Sequence, residues 1–243
     1  IEKSGYKAEL VDTTNLPLKT VGAVKFLKQA QFHPIKFIKE CVEDLKIFEN
    51  TVVLEVDGKT VVTDCGKIKA ENIVVATHFP FINTHGSYFL KLYQHRSYAL
   101  ALKGAQNLDG MYVSDSKTGL SFRNYNDLMI LIGGSHRTGK IGGSYNGIEQ
   151  FARIHYPQSK IQYRWATQDC MSLDKKTYIG RYSKNTADMY VASGFNKWGI
   201  TGAMVSAMIL SDMISGKTNE FQEVFSPSRS ILKPQLAVNG FEA

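Results

Sequence analysis

Apolar and polar positions recur in different rhythms along the chain, and each rhythm predicts an element. Residues 21–47 are expected to hold a helix, because Ile35, Ile38, Val42 and Leu45 recur at three- and four-residue spacing with charges between them. Residues 47–78, IFENTVVLEVDGKTVVTDCGKIKAENIVVATH, read as strand, Asp57-Gly58 turn, strand, Gly66-Lys67 turn and a last strand. The NIVVA stretch at 72–76 is β-branched and apolar at successive positions, the pattern of a parallel strand buried on both faces. Residues 95–140 read as antiparallel strands joined by turns, followed by a short polar helix near 145–155 and the stretch IQYRWATQD. MYVASGF (189–195) is a further strand, and it feeds GFNKWGITGAMVSAMILSDMISGK (194–217). In that helix Ala203, Met204, Val205, Ala207, Met208, Ile209, Leu210, Met213 and Ile214 cover most of the circumference, so burial on nearly all sides is expected.

The order of elements predicts a mixed α/β and α+β chain with two intertwined parts. At 243 residues it has material for one large domain or two modest ones. No apolar run reaches the ~18 residues of a membrane span. Three cysteines, Cys41, Cys65 and Cys170, are odd in number and widely spaced, which fits reduced thiols in a cytoplasmic protein. No cysteine or histidine spacing suggests a metal site. The net charge of +7 invites an acidic partner, but the basic residues are scattered as on solvated faces, so no nucleic-acid partner is expected. GSHRTGKI (134–141) resembles a phosphate loop, yet Ile141 stands where a hydroxyl is needed and Gly142-Gly143 oppose a following helix. A tight hairpin with glycines at positive φ accounts for it better.

The stretch SGFNKWGITG (193–202) carries the sharper chemistry. The first N–H groups of a helix lack internal partners and its dipole is positive there, so an anion or a carbonyl gathering charge is stabilised. Thr201 can cap, the glycines allow close approach, and Trp198 offers a flat apolar surface. Burial of the helix would put this entrance inside the protein. Packing alone is the competing account.

ASGFNKWGITGAMVSAMILSDMISGK, VVATHFPF (74–81) and YRWATQD…YIGR (163–181) together resemble the FAD-dependent amino-acid oxidase superfamily, which includes glycine oxidase and D-amino-acid dehydrogenases. IFENTVVLEV is similar to the strand that runs past the adenine in that family. QAQFHP (29–34) and FSPSR (225–229) resemble a subgroup in which a Rieske iron–sulfur domain follows the oxidase-like part. Any 2Fe-2S ligands would then lie beyond residue 243. The family's G-x-G-x-x-G is missing here, which suggests a fragment that starts downstream of it and that alone is inactive and unable to hold FAD. Lys175-Lys176-Thr177 also departs from the family, which places a proline before Tyr-Ile-Gly.

The resemblance implies a second part of an FAD-binding domain intertwined with an antiparallel-sheet substrate domain. The segments are 1–32 and 85–165 for the substrate domain, 33–84 and 166–225 for the FAD domain, and 226–243 as a linker. It implies cofactor contacts at Val53, Ala76, Thr77, Gly194, Lys197, Trp198, Gly199, Ile200 and Thr201. It implies that Arg164 pairs with a substrate carboxylate, for which a guanidinium fork is suited. A local Arg164–Asp169 ion pair is the alternative. His78 and His95 receive no catalytic role, and Tyr93, Tyr98 and Tyr178 are weaker candidates for the pocket wall. The function implied is oxidation of a C–N bond in an amine or amino acid by hydride transfer to flavin, with the electron acceptor open. A catalytically silent basic interaction module on a vestigial flavin fold is the rival reading.

Overall fold

The computed structural model describes residues 5–115, 119–231 and 234–242. In chain order the elements are β1 (Ala8–Val11), β2 (Ala23–Phe26), α1 (Pro34–Cys41), β3 (Val53–Asp57), β4 (Thr60–Thr63), β5 (Gly66–Lys69), β6 (Ile73–Val75) and α2 (Tyr88–Lys91). There follow β7 (Leu92–Lys103), β8 (Tyr112–Val113), β9 (Ser121–Tyr125), β10 (Leu128–Arg137), α3 (Tyr145–His155), β11 (Lys160–Ser172), β12 (Tyr178–Arg181), β13 (Met189–Ser193), α4 (Gly199–Ile214), α5 (Gln222–Phe225) and α6 (Gln235–Glu242).

The largest sheet is antiparallel, in the order β11-β7-β10-β9-β8. One of its faces carries Leu100, Leu102, Met129 and Leu131, which pack against Ile148 and Ala152 of α3. The residues between them face the other way, as the two-residue period of a strand requires. A second sheet, β12-β13-β6, has Val191 of β13 parallel to Val75 of β6. Its faces divide by the same alternation. Tyr178, Tyr182 and Val191 join a core with Val75, Tyr88 and Leu92, while Ile179, Tyr190 and Ala192 meet Ile209 and Leu210 of α4. β3-β4-β5 forms a three-stranded meander, with the Asp57-Gly58 turn where the sequence places it.

Several expectations fail for identifiable reasons. Residues 21–47 do hold a helix, but it is shorter than the apolar pattern through Leu45 suggests, being α1 (Pro34–Cys41) alone. Residues 23–26 pair with β1, and α1 starts only where Pro34 takes the first turn and His33 caps Lys36 N–H through Nδ1. The apolar stripe of α1 faces outward, with Ile35 70% exposed. β6 is parallel but is not buried on both faces: Val75 is enclosed whereas Val74 is open. α4 is likewise buried along one side only. Ser206, Ile209 and Leu210 are enclosed, while Met204 and Met208 are 53% and 61% exposed. The 134–141 stretch has the expected glycines at positive φ, at Gly134 and Gly139, but it does not close a hairpin between two strands. It continues β10 to Arg137 and turns into α3, and a Cβ on Gly143 (φ +46°) would collide with the Gly134 carbonyl and the His136 ring.

The last segment does not depart as a linker either. Asn239 of α6 is buried and donates to the Leu90 carbonyl at 3.0 Å, while its side-chain oxygen accepts from Arg137 Nη2 at 2.9 Å.

Candidate functional site

Parallel strands β6 and β13 end side by side. Beyond them Ser193 Oγ donates to the His78 carbonyl at 2.6 Å, which ties the two exits together. The carboxyl ends of strands in such sheets are where ligands bind. Ala76 and Thr77 lie exposed just past β6. After β13 the chain reverses at Gly194 (φ +70°), where a Cβ would lie 3.0 Å from Leu92 Cδ2 and 3.3 Å from Tyr178 Cδ2. Asn196 then holds the loop to β11: its N–H donates to the Cys170 carbonyl at 2.9 Å, and its Oδ1 accepts from Ser172 N–H at 3.1 Å.

α4 begins at Gly199 with Trp198 as its N-cap residue, and no side chain caps the helix. Thr201 sits inside the first turn rather than at the cap. Trp198 is 74% exposed, so the entrance opens outward instead of lying in the interior. Nothing lies within 4 Å of where a Cβ on Gly199 would be. Gly202 has a packing role, since its Cβ would meet Phe195 Cδ1 at 2.6 Å.

Residues 76–77 and 194–201 are therefore brought together, and the N–H groups of the first turn of α4, which no side chain caps, form an open, positive helix end beside them. Val53 stands apart, in the β3-β4-β5 meander, which reaches the core around Val75 through Val56.

Lys197 leaves this loop toward the large sheet. Its Nζ lies 2.5 Å from Asp169 Oδ2 and donates to Ser97 Oγ at 3.2 Å, and the Ser97 and Ser135 hydroxyls are 2.8 Å apart. In the register of β11 against β7, Asp169 faces His95, Thr167 faces Ser97 and Trp165 faces Ala99. These side chains share one sheet face. Burial, and then the Lys197 charge, pull the His95 pKa below its ordinary value, against the pull of Asp169. His95 Nδ1 is buried without a hydrogen-bond partner.

Arg164 is placed on the other face. Five residues separate it from Asp169, the register shows no slip between them, and an odd separation in a strand means opposite sides. Arg164 Nη1 instead donates to Glu149 Oε1 of α3 at 3.1 Å. The alternative Arg164–Asp169 pair does not form, for the same reason.

His78 Nε2 meets Gln94 Oε1 at 3.1 Å. Tyr178 is fully buried in the core, Tyr98 stacks on His136 at 5.9 Å, and Tyr93 lies under Arg137 at 5.0 Å. Ser97 and Ser135 have no assignment from the sequence, and Asp169 has only that of a partner for Arg164. The two-residue alternation of 163–169 was the signal that separates Asp169 from Arg164. Among the described residues, no group of His, Cys, Asp and Glu could hold a metal ion, and no helix is long and apolar enough to cross a membrane.

Residues 2–213 match the family described as FAD dependent oxidoreductase, abbreviated DAO. Over 96% of its length the chain is 35% identical to YhfW of Bacillus subtilis (strain 168), whose name describes a Rieske 2Fe-2S iron-sulfur protein, and it spans 49% of that relative. Glycine oxidase from Bacillus cereus shares the fold, with a TM-score of 0.74 at 17% identity over 96% of this chain and 70% of that one. L-proline dehydrogenase from P. horikoshii does so with a TM-score of 0.74 at 21% identity, covering 94% and 70%.

Proposed function

The chain belongs to the FAD dependent oxidoreductase family, and on that premise we propose that the protein carrying it oxidises a C–N bond of an amine or amino acid. FAD, when bound, would accept the hydride from the carbon that bears the nitrogen. This chain's part is to bind and orient. Gly194, Lys197, Trp198, Gly199, Ile200 and Thr201 would border the flavin ring, Ala76 and Thr77 its underside, and the backbone at Val53 the adenine. The observation that carries the reading is the entrance of α4: an uncapped, exposed helix start beside the carboxyl ends of two parallel strands. The helix dipole and the N–H donors of the first turn of α4 would favour a group that carries negative charge at this point. The large sheet then supplies a polar face for the substrate. A 2Fe-2S centre elsewhere in the protein, of the kind the longer relative's name describes, would supply one-electron chemistry, and no residue of this chain is assigned to hold it.

The test is the flavin content of the full-length protein and of its Gly199→Asp variant, read from visible absorption. An acid in the first helical turn stabilises the helix itself, but it repels a group carrying negative charge there. The wild type should hold flavin and the variant should lose at least about tenfold in affinity, about 1.4 kcal/mol. A wild type without flavin, or a variant that binds it equally well, refutes the assignment. Anaerobic bleaching of the bound flavin by small amines or amino acids then identifies the substrate class.

A further inference from the structure

The face of the large sheet next to the α4 entrance carries an ion pair drawn from different elements, while Arg137 of β10, which faces His95 on the same side, is engaged by Asn239 and the Tyr93 ring. Lys197 belongs to the loop before α4 and Asp169 to β11. Their side chains are 46% and 24% exposed, so the pair is reachable from solvent. An ion pair that keeps this much contact with water contributes at most about 1 kcal/mol, so exchanging it for other charges costs little. Around it lie groups with unused hydrogen-bonding capacity: His95 Nδ1 has no partner, and the Ser97 and Ser135 hydroxyls bond each other beside Lys197 Nζ. Beyond it along β11, Trp165 and Tyr163 present half-exposed rings on the same side. Arg164 and Gln168 alternate to the far side and cannot contribute.

We propose that Asp169 and Lys197 are the specificity-determining pair of this face, with Asp169 taking the ammonium and Lys197 the carboxylate of a zwitterionic ligand that opens their ion pair. The inference rests on the oxidoreductase reading and narrows it. A ligand with both charges replaces both halves of the broken pair. A ligand with one charge leaves the opposite residue unpaired and gains less. The arrangement therefore discriminates by matching both charges at one pair.

The test measures calorimetric binding of glycine, ethylamine and acetate to the full-length protein and to its Asp169→Asn and Lys197→Met variants. Wild type should bind glycine at least about tenfold tighter than either singly charged probe. Asp169→Asn should weaken glycine about tenfold or more and shift the preference toward acetate. Lys197→Met should weaken glycine similarly and shift it toward ethylamine, because Asp169 is then unpaired. Loss of all three probes in parallel would mean that the pair only holds the loop, and the proposal falls. It falls equally if wild type ranks the three probes alike, whatever the variants do. Flavin content, read on the same samples, separates this failure from that of the oxidoreductase reading.

Discussion

At the scale of single residues, Arg229 ties together more of the molecule than any sequence pattern suggests. Its Nε and Nη2 reach Asp174 Oδ2 and Oδ1 at 2.7 and 3.0 Å, and Nη1 donates to the carbonyls of Thr177, Phe225 and Ser226. Its guanidinium lies 3.8 Å from the centre of the Tyr178 ring. Both charged side chains are largely enclosed, so removing one strands the other. Arg229→Ala should cost about 3–5 kcal/mol in urea unfolding, and Arg229→Lys should recover little because an ammonium cannot bond in parallel. Burial alone would raise the Asp174 pKa, but the Arg229 hydrogen bonds, the Lys176 N–H and the Arg229 charge together hold it below the ordinary value. The unfolded chain therefore takes up the proton first. Stability from this pair is complete above the ordinary aspartate value of about 4 and is lost as pH falls through the lower folded value. Unfolding free energies between neutral and acid pH should fall less steeply in Asp174→Asn than in wild type. FSPSR reads as a motif in the sequence, but its arginine's partner lies 55 residues back, and no local spacing reveals that.

At the scale of elements, α4 shows what periodicity leaves open. Apolar residues all round its circumference read as burial all round, yet Ile200, Met204 and Met208 form an exposed row at four-residue intervals. Ile209 is 1% exposed and meets Ile179, Tyr190 and Ala192. Ile209→Ala should lower the unfolding free energy by about 2–5 kcal/mol, whereas Met204→Gln should change it by no more than about 0.5 kcal/mol. Chemical denaturation of the two variants checks the asymmetry, and equal losses would mean that the whole circumference is packed. β11 teaches the opposite lesson. Its alternation was fully legible, and applying it to 164 and 169 separates the arginine from the sheet face that Lys197 reaches. The strands from β3 to β5 and from β7 to β10 were legible because turn residues and alternation both act locally. β1 and β2 were not, because their pairing rests on each other and not on a strong pattern of their own.

At the scale of the whole molecule, the sheets and helices enclose three apolar clusters, two of them divided by β12 and β13, and Cys170 reports on the one that holds Val75, Tyr88 and Val191. Burial pushes its thiol pKa up, against the Ser193 hydroxyl and Gly194 N–H that favour the thiolate. Cys41 and Cys65 are exposed. A thiol reagent should label two sites at once and the third only at the rate at which the native structure opens, and mass spectrometry distinguishes the three. Rapid labelling of Cys170 would mean that the core around β11 and β13 opens locally.

The order of most strands and helices, the Asp57-Gly58 turn and the glycine-bordered start of α4 can all be read along the chain. Each of these follows from dihedral preferences and from hydrophobic period within a few residues. Which side of α4 is covered, that Arg164 meets Glu149 while Lys197 meets Asp169, and that Arg229 and Asn239 hold the last segment to the body are settled by contacts between distant elements. Burial and ion pairing depend on which distant elements arrive at a face, and a one-dimensional pattern carries a residue's periodicity but not its neighbour across space.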